Sequence, residues 1–166
     1  ETGTASIKGR TYFLGCFMSE SNGSTIFSEA GIQEADVAAT AVLAGVAALE
    51  DDNGTSLIIT NHDDTKVTFT TDQSKTRTQS TATLIGTSGV DSAAKAAQSL
   101  HVAFKAAITA GTLKATISPA TYTNETSVTL TSVKPGKSGN RSIVVPANIT
   151  LNGGSAGTDG TFTGGA

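Results

Sequence analysis

Residues 91–110, DSAAKAAQSLHVAFKAAITA, constrain the fold more than any other stretch of this chain. Ala97, Leu100, Phe104 and Ile108 recur at helical spacing, which predicts a helix with one face marked for burial. Asp91 stands where an N-terminal cap is expected and Gly111 where the helix should stop. A helix with one apolar face needs a surface to cover, and the surrounding sequence reads as the sheet that provides it.

From residue 50 the pattern is one of short strands. Asp51-Asp52-Asn53-Gly54 reads as a turn, because Asn-Gly supplies positive φ at little cost. TSLIIT (55–60) follows, then the polar turn Asn61-His62-Asp63-Asp64, then TKVTFTTD (65–72), where Val67 and Phe69 alternate with Lys66, Thr68 and Thr70. That alternation predicts a hairpin with one buried face. LKATIS (113–118) and SVTLTSV (127–133) read as a second strand pair, and RSIVVPANITL (141–151) as a further extended stretch. Residues 35–49, ADVAATAVLAGVAAL, read as either helix or extended chain: Ala argues for helix, while Val, Thr and Gly45 argue against it. The fold class expected is α+β and β-rich, an antiparallel sheet of hairpins covered by one main helix at about 91–110. An extended N-terminal segment precedes it, and a Gly-rich C-terminal tail follows that can pack only through Phe162. The domain reading is an N-terminal docking segment over 1–49, a compact α+β module over 50–151 and a Gly-rich tail or linker over 152–166.

Composition narrows the function. A chain of 166 residues holds one domain, with or without a small appendage. Charged residues make up 15% and the net charge is −3, so the basic footprint of a nucleic-acid binder is missing. No apolar run reaches the ~20 residues that span a bilayer, and VAATAVLAGVAAL (37–49) is too short, so a soluble protein without membrane contact is expected. The chain opens on ETGT rather than on a basic, Met-led leader, which reads as a processed product or a piece of something longer. The single Cys16, inside TYFLGCFM, reads as a buried, inert thiol.

Each stretch that suggests chemistry fails on spacing. KPGKSGN (134–140) ends like a phosphate-binding loop, but the first Gly of that motif falls at Thr131. The sequence after Asn140 is strand-like, and no helix follows to receive a phosphate. A turn built on Pro135-Gly136 and Gly139-Asn140 is expected instead. His62 beside Asp63 and Asp64 reads as a polar hairpin tip, and His101 as a rim position on the helix. Asp51-Asp52-Asn53-Gly54 lacks the alternating ligands and closing Glu of a calcium loop. The sequons at Asn22, Asn53, Asn124 and Asn148 are what a Ser/Thr-rich chain produces by chance. No catalytic, cofactor-binding or metal-binding residue is therefore assigned, and no enzyme is expected.

Taken together, TSLIITNHDDTKVTFTTD, LIGTSGVDSAAKAAQSLHVAFKAAI, LKATI, SVTLTSVKPGKSGNRSIVV and the closing FTGGA resemble a module of virion structural proteins of tailed bacteriophages, especially marine ones. The resemblance covers about 50–166. The opening GRTYFLGCFMSESNGSTIFSEAGI is similar to segments of tail-sheath or related virion proteins. The resemblance implies a non-enzymatic component of a phage particle, a capsid decoration protein or tail-sheath-type domain assembled in the host cytoplasm. Its implied partners are copies of itself and other virion proteins, with no nucleic acid, membrane or small-molecule substrate. The other reading is a receptor- or carbohydrate-binding module of a fibre or adhesin, against which the aromatic fraction of 5% and the absence of Trp both count.

Overall fold

The computed structural model of the chain describes residues 2–7, 10–15, 17–18, 25–26 and 37–165, in two units divided between Glu34 and Ala35. In the first unit β1 (Thr2–Ile7) pairs antiparallel with β2 (Arg10–Gly15), and β3 (Phe17–Met18) with β4 (Thr25–Ile26). Cys16, Asn22 and the side chains of the apolar patch Tyr12–Met18 lie outside the described residues.

The second unit is α+β and strand-rich with one main helix, as its alternation predicts. Its strands are β5 (Ala38–Gly45), β6 (Ser56–Thr60), β7 (Lys66–Thr76) and β8 (Leu84–Ser88). Helix α1 (Ala93–Thr109) follows, then β9 (Ala115–Ser118), β10 (Val128–Pro135), β11 (Ser142–Val144), β12 (Ile149–Leu151) and β13 (Gly160–Thr161). They form two sheets rather than one: a four-stranded sheet in the order β12-β5-β10-β9 and a five-stranded sheet in the order β13-β11-β6-β7-β8. All pairs are antiparallel except β7 with β8, which run parallel and are joined through residues 77–83.

Residues 35–49 belong to this unit, so the boundary expected at 49/50 falls at 34/35. The reason is β5, an interior strand of the four-stranded sheet. Ala39, Ala41, Leu43 and Gly45 face inward while Thr40 and Val42 face outward, a period of two that overrides the helical preference of Ala. The small inward residues let the helix come close. A Cβ on Gly45 would lie 2.4 Å from that of Ala96.

Helix α1 is capped by Ser92 rather than Asp91, the Ser92 hydroxyl accepting the Lys95 N–H at 3.4 Å. Asp91 instead pairs with the Lys95 ammonium one turn on, at 2.7 Å. Gly111, at φ 73°, ends the helix as expected, its N–H donating to the Ile108 carbonyl. The buried face is wider than one stripe: Ala96, Ala97, Ser99, Leu100, His101, Ala103, Phe104 and Ala107 are all enclosed, and Ile108 only partly. The helix contacts β5, β9 and β10 of one sheet and β8 of the other. The Phe104 ring meets the Phe69 ring of β7 edge-on, with centroids 5.3 Å apart. One continuous core therefore runs through both sheets and the helix.

Candidate functional site

KPGKSGN is a strand-to-strand turn. Lys134 and Pro135 end β10, Gly136 takes φ 82°, Lys137–Gly139 make a single 3₁₀ turn, and β11 begins at Ser142. A strand stands where a nucleotide loop needs a helix. Gly139 is buried so tightly that a Cβ would approach the Lys134 carbonyl oxygen to 2.9 Å.

The turn holds the end of the chain. The Asn140 amide donates to the Gly165 carbonyl at 3.0 Å, and its oxygen accepts the Gly165 N–H at 3.1 Å. The side chain thus imitates a strand partner. Upstream, Thr163 and Thr40 exchange both backbone hydrogen bonds at 2.8 Å, Phe162 N–H donates to the Arg141 carbonyl at 2.9 Å, and β13 pairs with β11. Residues 160–165 therefore form a strap with β11 on one side and β5 on the other, joining the two sheets. Phe162, 4% exposed, plugs the core between them. This replaces the expectation of a tail that packs only through Phe162. The only sign of the strap in the sequence is an isolated Phe among glycines.

The remaining candidates are held in hydrogen bonds and ion pairs of the fold. Asp63 accepts from the Lys114 ammonium and from Thr65, which together hold its carboxyl well below the usual carboxylate range. The His62 carbonyl accepts from Arg141 Nη2 at 3.2 Å, and Arg141 Nε lies 3.5 Å from Asp64. The hairpin tip is thus tied down at both sides. Asp52 is buried and accepts the Asn148 amide at 2.8 Å, while Asn53 accepts the Gln73 N–H at 3.1 Å, so the Asp-Asp-Asn-Gly stretch is a turn. His101, expected at a rim, is 4% exposed: its Nε2–H donates to the Pro119 carbonyl at 2.9 Å and secures the loop after β9. Among the described residues no three His, Cys, Asp or Glu side chains gather as a metal would require. A shallow hollow of about 590 Å³ runs along α1 past His101, Val102, Lys105, Ala106 and Thr109. One helix flank makes it, and no carboxylate or hydroxyl-base pair faces into it.

The outward face of the four-stranded sheet is uncharged across its paired rows. Ser118, Thr129 and Val42 lie side by side, and so do Thr116, Thr131 and Thr40. Two of the four free edges are closed by the chain itself. On β8 the Gly86 N–H donates to Ser80 Oγ at 2.9 Å and its carbonyl accepts from Ser99 Oγ at 2.8 Å, while β12 is closed by Gly157 and Gly154 N–H donors. The strap ties β13 to β5.

Glu125 shows how the loops are stapled. Its carboxylate accepts from the Thr123 hydroxyl at 2.6 Å and from the Thr123 and Asn124 N–H groups, which holds its pKa down at about 2. The native values of Glu125 and Asp63 both lie below those of the unfolded chain. Each therefore contributes stability that is complete above the unfolded value, near ~4, and lost as pH falls through the native one. Thermal unfolding temperature should hold between about pH 7 and 5 and drop between about 4 and 2. Glu125→Gln with Asp63→Asn should flatten that drop, and an unchanged acid slope in the double variant would contradict the assignment.

Compared with protein-family models, curated proteins and solved structures, the chain matches none.

Proposed function

We propose that the protein is a non-enzymatic structural component of a bacteriophage particle, acting on the capsid or tail exterior through repeated contacts with copies of itself and with other virion proteins. What supports the reading is the resemblance of residues 50–166 to a virion module, together with what its hallmark pieces do. The Gly-Asn turn and the F-x-G-G end, far apart in sequence, meet as Asn140 clasping Gly165. They serve closure of the fold. The uncharged Thr, Ser and Val rows of the four-stranded sheet add a face that neighbours can approach without desolvating charge.

Quantitative mass spectrometry of purified particles carrying the chain tests the proposal. The expected result is a copy number comparable to that of the major shell or tube protein. A handful of copies per particle would point instead to a fibre tip, and so to a receptor-binding module, and would overturn it.

A further inference from the structure

The strap makes its bonds with a groove, and the groove belongs to the body of the fold. Its hydrogen-bond partners are Thr40 on β5, Asn140, Arg141, Ser142 and Ile143 on the turn and β11, and Asn152, whose side-chain amide donates to the Thr161 carbonyl at 3.0 Å. The seat is shaped for this segment. A Cβ on Gly165 would lie 2.5 Å from the Gly136 carbonyl oxygen, and one on Gly160 would lie 2.8 Å from Leu151 Cδ2. Between the body and the strap runs NGGSAGTD (152–159), exposed at every residue, with Gly153 and Gly157 both at φ 74°.

We propose that the groove between β5 and β11 also receives the strap of a second copy, so that copies are linked by exchanging residues 160–165. The backbone bonds to Thr40, Arg141 and β11, the Asn140 clasp and the Phe162 plug are the same whether the strap comes from its own chain or another. The two arrangements then differ in effective concentration and in the linker, where the Gly157 N–H bond to the Ile149 carbonyl and the Val145 N–H bond to Asp159 must open for the strap to cross. The strap's own bonds are regained in full, the condition under which swapping costs little. Residues 153–159, at ~3.3 Å each when extended, reach roughly 20 Å, enough to leave one groove and enter that of an adjoining copy. The inference stands on the strap alone and holds wherever the protein assembles.

Thr40 and Thr163 report the exchange, because they face each other across the groove. In a full-length Cys16→Ser background, Thr40→Cys and Thr163→Cys are placed on separate chains, mixed over a range of concentrations and treated with a short bis-maleimide. A chain carrying both substitutions measures strap seating within one molecule. The expected results are internal cross-linking of the doubly substituted chain when dilute, and cross-linked dimers in the mixture at several times the yield of either single variant alone, rising with concentration. Deleting residues 153–156 should raise the dimer yield at least ten-fold, since a shortened linker cannot seat its own strap. Dimers no more abundant in the mixture than in the single variants, with the shortened linker included, would overturn the proposal. So would failure of the doubly substituted chain to cross-link within itself.

Discussion

Phe104→Ala is expected to lower the unfolding free energy of the second unit by about 3–5 kcal/mol, since it removes a large buried ring and leaves a cavity. At this size the loss corresponds to a fall in Tm of roughly 10–20 °C. Phe104 has no exposed surface and stands where the helix meets both sheets, its ring against the edge or face of Phe69. Beside it on the helix Ala103 and Ala107 carry only methyl groups, so any filling of the gap falls to Leu100 and Ile108 one turn away. Val42→Ala, at 36% exposure on the outer sheet face, removes a side chain from a site already open to water and should change stability by well under 1 kcal/mol. Chemical denaturation of the two variants checks the contrast. Equal losses would mean that the helix does not organise the core.

Gly86→Ala is the second large effect. A Cβ there would lie 2.1 Å from the Thr76 carbonyl oxygen and 2.7 Å from its carbon, both backbone atoms that cannot rotate aside. Ordinary overpacking costs about 1–3 kcal/mol because side chains can give way. Here the β7–β8 crossover itself must move. It would take with it the Ser80 and Ser99 hydrogen bonds that close the β8 edge. A loss above ~3 kcal/mol is expected, with the variant recovered largely unfolded or aggregated through its opened edge. Gly89→Ala is the control: Gly89 has open space around it but a positive φ of 66°, so it should cost only about 1 kcal/mol of backbone strain. If both substitutions cost the same, the close crossover is wrong.

The parts of the fold that sequence reasoning reached are those where side chains differ enough to carry a period. Val67 and Phe69 against Lys66, Thr68 and Thr70 announce β7, and Leu100 and Phe104 announce α1. The parts it did not reach are those where packing demands small residues. β5 reads AATAVLAG because the helix lies against it, and those same residues blur strand into helix in a sequence-based reading. The division into two sheets depends on which strands pair, and the parallel β7–β8 pair depends on Gly86, neither of which leaves a periodic trace. The strap was hidden for a related reason, since two of the glycines that suggest a loose tail, Gly160 and Gly165, stand where there is no room for a Cβ. In the site reading, the misfit of KPGKSGN to a nucleotide loop was legible from Thr131 and the strand-like residues after Asn140. Its role as the clasp of the C-terminal end was not, because the partner lies at Gly165.

These features describe a body whose four-stranded sheet presents uncharged outward rows and whose β8 and β12 edges are closed, with one element suited to passing between copies. The reading of the protein as a repeating part of a phage exterior rests on that combination and on the virion-like motifs.

Electron cryomicroscopy of particles containing the chain tests it most directly. Density for residues 37–165 is expected to repeat over the shell or tail tube, one copy per lattice position, with strap density entering the β5–β11 groove. Density for the chain confined to fibre tips, with the shell and tube built wholly from other proteins, would contradict it.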